Sequence, residues 1–254
     1  MELKNVTVVI SGGVSGLGAA CARMVIDNGG HAILADINAQ QGEALAGELG
    51  ERCRFVRTDI TSEQDAAALF EQAAASGTVR AVVNCAGVAP GEKILGRDGP
   101  HALATFERVV RINLVGTFNM LRLGAAAMAG NAPTEDGERG VIINTASIAA
   151  FEGQIGQAAY AASKGGVVAL TLPAARELAR SGIRVMTIAP GVFATPMVSA
   201  MSAEVQDSLA KTIPFPSRLG RPEEYALLVK QIFDNRMLNG EVIRLDGATR
   251  LAAR

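Results

Sequence analysis

The 254-residue chain contains no tryptophan, two tyrosines, two histidines and three cysteines, and each scarcity excludes something. Cys21, Cys53 and Cys85 are odd in number, widely spaced and without a C-x-x-C pair, which argues against a disulfide framework and fits a reducing compartment. They read as small buried hydrophobes. His31 and His101 belong to no His/Cys cluster, so a transition-metal site has almost no ligands to draw on, and no metal is expected. A net charge of -1 gives no global attraction for nucleic acid or an anionic membrane, and neither is expected as a partner. No apolar run approaches the length of a spanning helix. The opening MELKNVTVVISGG enters a β-branched segment with neither a basic-then-apolar leader nor an Arg-rich presequence, which gives the expectation of a cytoplasmic protein.

What is present is apolar: 49% hydrophobic residues against 19% charged, enough for a substantial core. Short runs rich in valine and isoleucine recur at residues 6–10 (VTVVI), 32–35 (AILA), 54–58 (RFVRT), 81–84 (AVVN), 141–147 (VIINTAS), 183–189 (IRVMTIA) and 241–246 (EVIRLD). Nearly all lack polar alternation, the pattern of strands covered on both faces. Helical segments lie between them: Thr61-Ser62-Glu63-Gln64 carries a cap, Asn28-Gly29-Gly30 a stop, and Ser181-Gly182 ends a helix that begins near Gln157. The alternation predicts an α/β fold, a doubly wound seven-stranded parallel sheet in a single domain over residues 1–254. Two segments break the rhythm. The polar loop 130–140 (GNAPTEDGERG) reads as surface decoration, and the apolar excursion 192–219 follows a strand's carboxyl end, where a substrate lid would sit.

In an open parallel sheet, ligands bind outside the carboxyl ends of the strands. This sequence places Ser11-Gly12-Gly13 after the first strand, Asp36 after the second, Asp59 after the third, Asn84-Cys85-Ala86-Gly87 after the fourth, Ser147 at the end of the fifth and Pro190-Gly191 after the sixth. The turn SGGVSGLG, with Gly12, Gly16 and Gly18, either brings helix amides towards a pyrophosphate or packs a helix tightly on a strand. Asp36 follows Gly18 by 18 positions, close to the spacing at which a carboxylate accepts the adenosine ribose hydroxyls; the alternative is an ordinary Asx turn. Gly13, Val14 and Ile37 offer no positive charge for a 2'-phosphate, which favours NAD over NADP.

Tyr160 and Lys164 stand four apart among alanines and glycines in GQAAYAASKGG, on one face of a helix. A lysine charge about 4 Å away is worth roughly 1 kcal/mol in water and roughly 4 kcal/mol at an effective dielectric near 20. That corresponds to less than one pKa unit for a wet pair and up to about three for an enclosed one. Tyr-x-x-x-Lys alone occurs by chance in many helices. Ser147 nearby in the inferred fold, with a hydroxyl able to hold a carbonyl oxygen, and the glycine-rich turn upstream give the pair its acid-base reading.

Taken together, SGGVSGLG, Asp59-Ile60, NCAG (84–87), Asn113 in RINLVG, Ser147 in INTAS, YAASK (160–164) and APG (189–191) resemble the short-chain dehydrogenases/reductases over essentially the whole chain. The resemblance implies a Rossmann fold, an NAD cofactor and a catalytic set. Tyr160 would exchange a proton with the substrate oxygen, Lys164 would lower its pKa and bind the nicotinamide ribose, Ser147 would position the carbonyl, and Asn113 would hold a water for proton relay. It also implies cofactor contacts from Ser11, Gly12, Ser15, Gly16, Leu17 and Gly18 in the turn, from Asp36, from Asp59 and Ile60 at the adenine, from Cys85 and Gly87, and from Pro190, Phe193 and Thr195 towards the nicotinamide, alongside Tyr160 and Lys164. Ser11 replaces the family's usual threonine, and Cys85 a frequent asparagine.

Within the family, the runs GVIINTASIAAFEGQIGQAAYAASKGG, PFPSRLG and NGEVIRLDGA look like those of dehydrogenases acting on 3-hydroxyacyl-CoA esters, whose relatives also oxidise 17β-hydroxysteroids. A homotetramer is implied by the same resemblance. A 3-oxoacyl-carrier-protein reductase would normally want NADPH, against Asp36, and a non-catalytic dinucleotide-sensing module would commonly lose the tyrosine retained here.

Overall fold

The computed structural model describes residues 1–97 and 99–253, with the side chain of Met197 set aside. The chain runs β1 (Thr7–Ser11), α1 (Gly16–Asp27), β2 (His31–Asp36), α2 (Ala39–Leu49), β3 (Cys53–Arg57), α3 (Glu63–Ser76) and β4 (Val79–Asn84). A short hairpin, β5 (Leu95–Gly96) and β6 (Gly99–Pro100), precedes α4 (Leu103–Val110) and α5 (Thr117–Ala129), which are joined through a π-helical stretch, Arg111–Gly116. Then come β7 (Gly140–Thr145), α6 (Ala158–Leu178), β8 (Ile183–Pro190), α7 (Pro196–Ser199), α8 (Ala203–Lys211), α9 (Pro222–Asp234) and β9 (Val242–Leu245). Seven of these strands form one parallel sheet in the order β3-β2-β1-β4-β7-β8-β9, as expected from the seven apolar runs.

The absence of alternation in those runs has a direct cause in the packing. Val8, Ile10, Val83, Val141 and Ile143 face one apolar cluster with Val25 of α1 and Val229 and Phe233 of α9. Their neighbours Val9, Val82 and Ile142 face a second cluster with Leu69 and Phe70 of α3 and Met120 and Met128 of α5. Successive strand residues point to opposite faces, and both faces are covered, so every position is apolar. Helix starts follow the local chemistry: Ser62 accepts from the Asp65 amide at the head of α3, and Asn38 from the Gln41 amide at the head of α2. β1 pairs with β2 on one side and β4 on the other. The winding reverses there, which opens a crevice beyond the carboxyl ends of β1 and β4.

Loop 130–140 is more than surface decoration. Glu138, 6% exposed, accepts from Arg184 Nε of β8 at 2.9 Å, and the Arg184 guanidinium also donates to the Leu238 carbonyl at 2.8 Å. A polar loop thus sends one carboxylate inward to neutralise an arginine buried within a strand. Removing one partner of a buried pair strands the other charge, at a cost of about 3–5 kcal/mol. Glu138→Ala is therefore expected to lower the free energy of unfolding by that amount in chemical denaturation, and an unchanged midpoint would show the pair to be idle.

Candidate active site

The glycine-rich turn is shaped by close approach. Gly12 has φ +63°, and a Cβ built on it would lie 2.6 Å from the Ala86 amide nitrogen; one on Gly18 would lie 2.2 Å from the Gly12 carbonyl oxygen. Side chains at either position would push the turn off the end of β4. Ser15 precedes α1 in extended conformation (φ -150°, ψ 167°), makes no side-chain cap bond, and no acid lies in the helix's first turn. The first amides of α1 thus face the crevice with the partial positive charge of a helix N-terminus, a cradle that fits the diphosphate of a dinucleotide. Gly16 and Leu17 form the first positions of that turn. Thr195 closes on it from the other side, since a Cβ on Gly16 would sit 3.2 Å from Thr195 Cγ2.

The remaining expected cofactor contacts divide by what their side chains already do. Asp36, the last residue of β2, is half-buried, and its Oδ1 accepts from the Asn38 amide at 3.0 Å. Asp59 Oδ1 accepts from the amide and hydroxyl of Thr61, both at 2.8 Å, while Ile60 is buried against Gly116. The Ser11 hydroxyl points inward to Asn84 Oδ1 (3.2 Å), and Asn84 in turn donates to Asn144 (2.9 Å). Phe193 is buried, edge-on to Tyr225 at 6.5 Å, so its ring belongs to the core. Pro190 is buried as the last residue of β8, and Gly87 is exposed in the crevice.

Ser147 does not end its strand. β7 closes at Thr145, and Ser147 lies two residues on, where its side chain accepts from the Ala149 amide at 3.1 Å and caps the turn Ile148–Ala150. The ladder to β8 stops after Ala146 bonds Ile188, and the chain curls over the sheet's end. Tyr160 and Lys164 lie in the first two turns of α6, and the Lys164 Nζ is 5.9 Å from the centre of the Tyr160 ring. The small side chains of that helix allow the approach of a large ligand; Ala162 is exposed and Ala161 half-exposed.

Asn113 sits inside the π-helical stretch, a local widening that recurs at functional sites. Its side chain is committed: Oδ1 accepts from the Val88 amide (2.8 Å), and Nδ2 donates to the Val88 carbonyl (2.9 Å) and to Ser163 Oγ (3.0 Å). The amide thereby ties the loop after β4 to α6. Its backbone carbonyl accepts from the Thr117 hydroxyl at 2.7 Å.

Sequence reasoning missed Thr145 and Tyr225. Lys164 Nζ donates to the Thr145 carbonyl at 2.7 Å. The Thr145 hydroxyl donates to the Asn84 carbonyl at 2.6 Å, which leaves the fully buried Tyr225 of α9 as donor in their 2.7 Å contact. Thr145 is thus the fixed point from which the lysine is aimed. The available signal was scarcity: Tyr225 is one of just two tyrosines, and a buried phenol requires a partner.

Burial sets the protonation of the pair. It holds the Lys164 ammonium down to about 8 against a weaker opposing pull from Cys85. It pushes the Tyr160 phenol above its ordinary value, with the Ser147 hydroxyl opposing. The expected lowering of Tyr160 by Lys164 is not the balance in this arrangement, because the ammonium is directed at the Thr145 carbonyl and not at the phenol oxygen. One consequence is testable through stability. The folded value of about 8 lies below the ordinary 10.5. Below about 8 both folded and unfolded states hold the proton, and burying the charge costs stability in full; the cost disappears as pH rises towards 10.5. At about 1.4 kcal/mol per unit this is on the order of 3 kcal/mol. Lys164→Met should be more stable than wild type at neutral pH, with the advantage shrinking towards pH 10.5 in parallel denaturation curves; a constant difference would contradict the buried charge.

A doubly wound parallel sheet, a glycine cradle at its switch point, a serine just past the end of β7 and a tyrosine and lysine in the first two turns of α6 are the arrangement of a nicotinamide-type oxidoreductase. Residues 6–206 match the family "short chain dehydrogenase", and the chain belongs to that family. It is an enzyme, an oxidoreductase, and its family implies a nicotinamide cofactor. The chain is 53% identical over 253 residues to the 3-hydroxyacyl-CoA dehydrogenase type-2 of Homo sapiens, covering 98% of this chain and 97% of that one. It is 52% identical over 252 residues to the protein of the same name from Drosophila melanogaster, covering 98% and 99%. A crystal structure of 3-hydroxyacyl-CoA dehydrogenase type-2 from Mycobacterium avium superimposes with a TM-score of 0.95 at 44% identity, over 98% of both chains. Among the described residues no helix is long and apolar enough to cross a membrane, and no group of three or more His, Cys, Asp or Glu side chains is placed to hold a metal ion.

Proposed function

We propose that this protein is an NAD-dependent dehydrogenase that interconverts 3-hydroxyacyl-CoA and 3-oxoacyl-CoA esters. The observation that carries the reading is the joint placement of Ser147, Tyr160 and Lys164 beside a glycine cradle whose neighbouring strand ends in Asp36. The substrate assignment rests on full-length likeness to proteins named for that activity.

When bound, NAD supplies the acceptor for the hydride leaving the carbinol carbon. The chain's own residues do the rest. The first-turn amides of α1 hold the diphosphate, and Asp36 accepts the ribose hydroxyls and repels a 2'-phosphate. The Ser147 hydroxyl donates to the substrate oxygen, fixing its position within reach of the phenol. Tyr160 takes the hydroxyl proton during oxidation and returns it during reduction. Lys164, one of its N–H groups on the Thr145 carbonyl, supplies a further N–H donor for the nicotinamide ribose. Thr145, anchored by Tyr225 and Asn84, holds that ammonium in place. Segment 192–219, with Ile213 buried and Val205 exposed, is assigned as the substrate lid of a single domain. The same reading carries a homotetramer in the cytoplasm acting on small molecules, with sedimentation and cell fractionation as its tests.

The direct assay pairs NADH oxidation by acetoacetyl-CoA with NAD reduction by a 17β-hydroxysteroid. Turnover of the thioester with NADH well above that with NADPH supports the reading. Steroid turnover alone would reassign the substrate, a preference for NADPH with the acyl-carrier-protein thioester would point to a 3-oxoacyl reductase, and activity with neither thioester nor steroid would overturn it.

A further inference from the structure

Glu152 lies in the loop that leads from Ser147 to Tyr160, and its carboxylate is gripped from β9, two strands away from β7 in the sheet. Arg244 Nη1 donates to Glu152 Oε1 at 2.7 Å and Nη2 to Oε2 at 2.9 Å, while Nε donates to Asp246 Oδ2 at 2.8 Å. The other Nη2 hydrogen goes to the Thr249 carbonyl at 3.0 Å. The guanidinium lies 5.2 Å from the centre of the Phe151 ring, and Arg250 adds a second cation, 3.3 Å from Asp246 and 3.5 Å from Glu152. An isolated exposed ion pair contributes little to a fold. Here the Arg244 and Glu152 side chains are 22% and 27% exposed, two cations meet two carboxylates, and the two-pronged bond fixes orientation as well as distance.

The arginine end of this strut is rigid. Arg244 pairs in register with Ala189 of β8, the Gly191 amide donates to the Leu245 carbonyl at 2.9 Å, and a Cβ on Gly191 would lie 2.9 Å from Asp246 Cα. The glutamate end is joined to Ser147 by one tight turn. The Phe151 and Glu152 amides both donate to the Ile148 carbonyl, at 3.0 and 3.1 Å, and the Ala150 amide donates to the Ser147 carbonyl at 3.0 Å. A Cβ on Gly153 would lie 2.9 Å from the Ala161 Cβ, so the same loop abuts α6 beside Tyr160. Residues 151–157 run between helices as turns and irregular chain, and their course is set by ties of this kind.

We propose that Arg244, acting through Glu152, is a positioning residue for Ser147, holding the turn Ile148–Ala150 so that the serine hydroxyl stays aimed at the substrate oxygen. This role rests on the reading in which Ser147 and Tyr160 act on that oxygen. Without the two-pronged bond, Glu152 turns to solvent and the turn capped by Ser147 loses its outer restraint. A misplacement of about 1 Å at a positioning group costs up to about 10²-fold in rate. The nucleotide cradle is spared, because Gly12 rests on Ala86 and Gly18 on the Gly12 carbonyl, far along the sheet from β9.

The test uses the full-length protein and five variants: Ser147→Ala, Arg244→Met, Glu152→Ala, the double variant of the last two, and Glu152→Ala combined with Ser147→Ala. Single-turnover NADH oxidation by acetoacetyl-CoA reads the chemical step, and fluorescence titration reads the NADH dissociation constant. Arg244→Met and Glu152→Ala should each slow the chemical step by about 10- to 10²-fold, with NADH affinity within about twofold of wild type. Because the two residues act as a unit, the double variant should be within about twofold of the slower single one. In the Ser147→Ala background Glu152→Ala should cost no more than about threefold, since no hydroxyl remains to be aimed. Should Arg244→Met fail to fold, Glu152→Ala with and without the Ser147 hydroxyl decides the matter. An undiminished rate in Glu152→Ala, multiplied losses in the double variant, the same fold-loss with and without the Ser147 hydroxyl, or NADH affinity falling in step with the rate would each overturn the role. Loss of turnover in Ser147→Ala beside wild-type turnover in Glu152→Ala would overturn this role alone, whereas full turnover in Ser147→Ala would overturn the catalytic reading and the role with it.

Discussion

Tyr160→Phe is expected to lower turnover by about 10³-fold while leaving the NAD dissociation constant within a few-fold of wild type. General acid-base groups contribute roughly 10²–10⁴ in rate, and the substitution removes one oxygen while preserving the ring. The nucleotide cradle is built from other elements: the turn after β1, the head of α1 and the end of β2. Its geometry is fixed by Gly12 against Ala86 and by Gly18 against the Gly12 carbonyl, contacts that Tyr160 does not touch. A drop in kcat with nearly constant nucleotide affinity therefore separates proton transfer from binding. A variant retaining substantial turnover would remove the phenol from the mechanism and leave Ser147 as the proton donor to be tested.

The second large effect concerns cofactor choice. Asp36 presents a carboxylate at the end of β2, with Oδ1 engaged by the Asn38 amide, while the adjacent Ile37 is 65% exposed and uncharged. A 2'-phosphate about 4 Å from that carboxylate meets roughly 4 kcal/mol of repulsion at an effective dielectric near 20, and less with solvent access. Replacing the repulsion by attraction in Asp36→Ala combined with Ile37→Arg is expected to raise the NADP-to-NAD ratio of kcat/KM by about 10²-fold or more. The ratio is the informative quantity, because a general loss of stability or rate cancels in it. An unchanged ratio would dissociate Asp36 from the ribose and return it to an ordinary Asx turn, which its bond to Asn38 also satisfies.

Much of the fold could be read before the structure because its signals are local. The apolar runs mark strands, the caps at Ser62 and Asn28 mark helix ends, and the Tyr160–Lys164 spacing needs only the geometry of one helix. What escaped was set by pairing across long stretches of chain. Glu138 sits in a loop whose composition is that of a solvated turn; its burial is dictated by Arg184 on β8, and nothing in GNAPTEDGERG announces that partner. Thr145 and Tyr225 are 80 residues apart, and their bond exists only because α9 packs against the same face of the sheet as α1. The composition of VIINTAS puts Ser147 at the strand end, whereas β7 closes two residues earlier, at Thr145. The hairpin of β5 and β6 is two residues a side, too short for any periodicity to register. The candidate site was legible as a set of residues. Its wiring, with Asn113 bonded to Val88 and Ser163 and with Lys164 aimed at Thr145, was not, since hydrogen-bond partners follow from the tertiary fold.

The most direct test of the central claim follows the transferred hydrogen. NADH deuterated at the reactive ring carbon is incubated with acetoacetyl-CoA, and the product is examined by mass spectrometry. The mechanism requires one deuterium at C3 of 3-hydroxybutyryl-CoA and a solvent-derived proton on its oxygen, with the rate of formation lowered about 10³-fold in Tyr160→Phe. Product without deuterium at C3, or label released to solvent, would contradict hydride transfer to the acyl-CoA ketone.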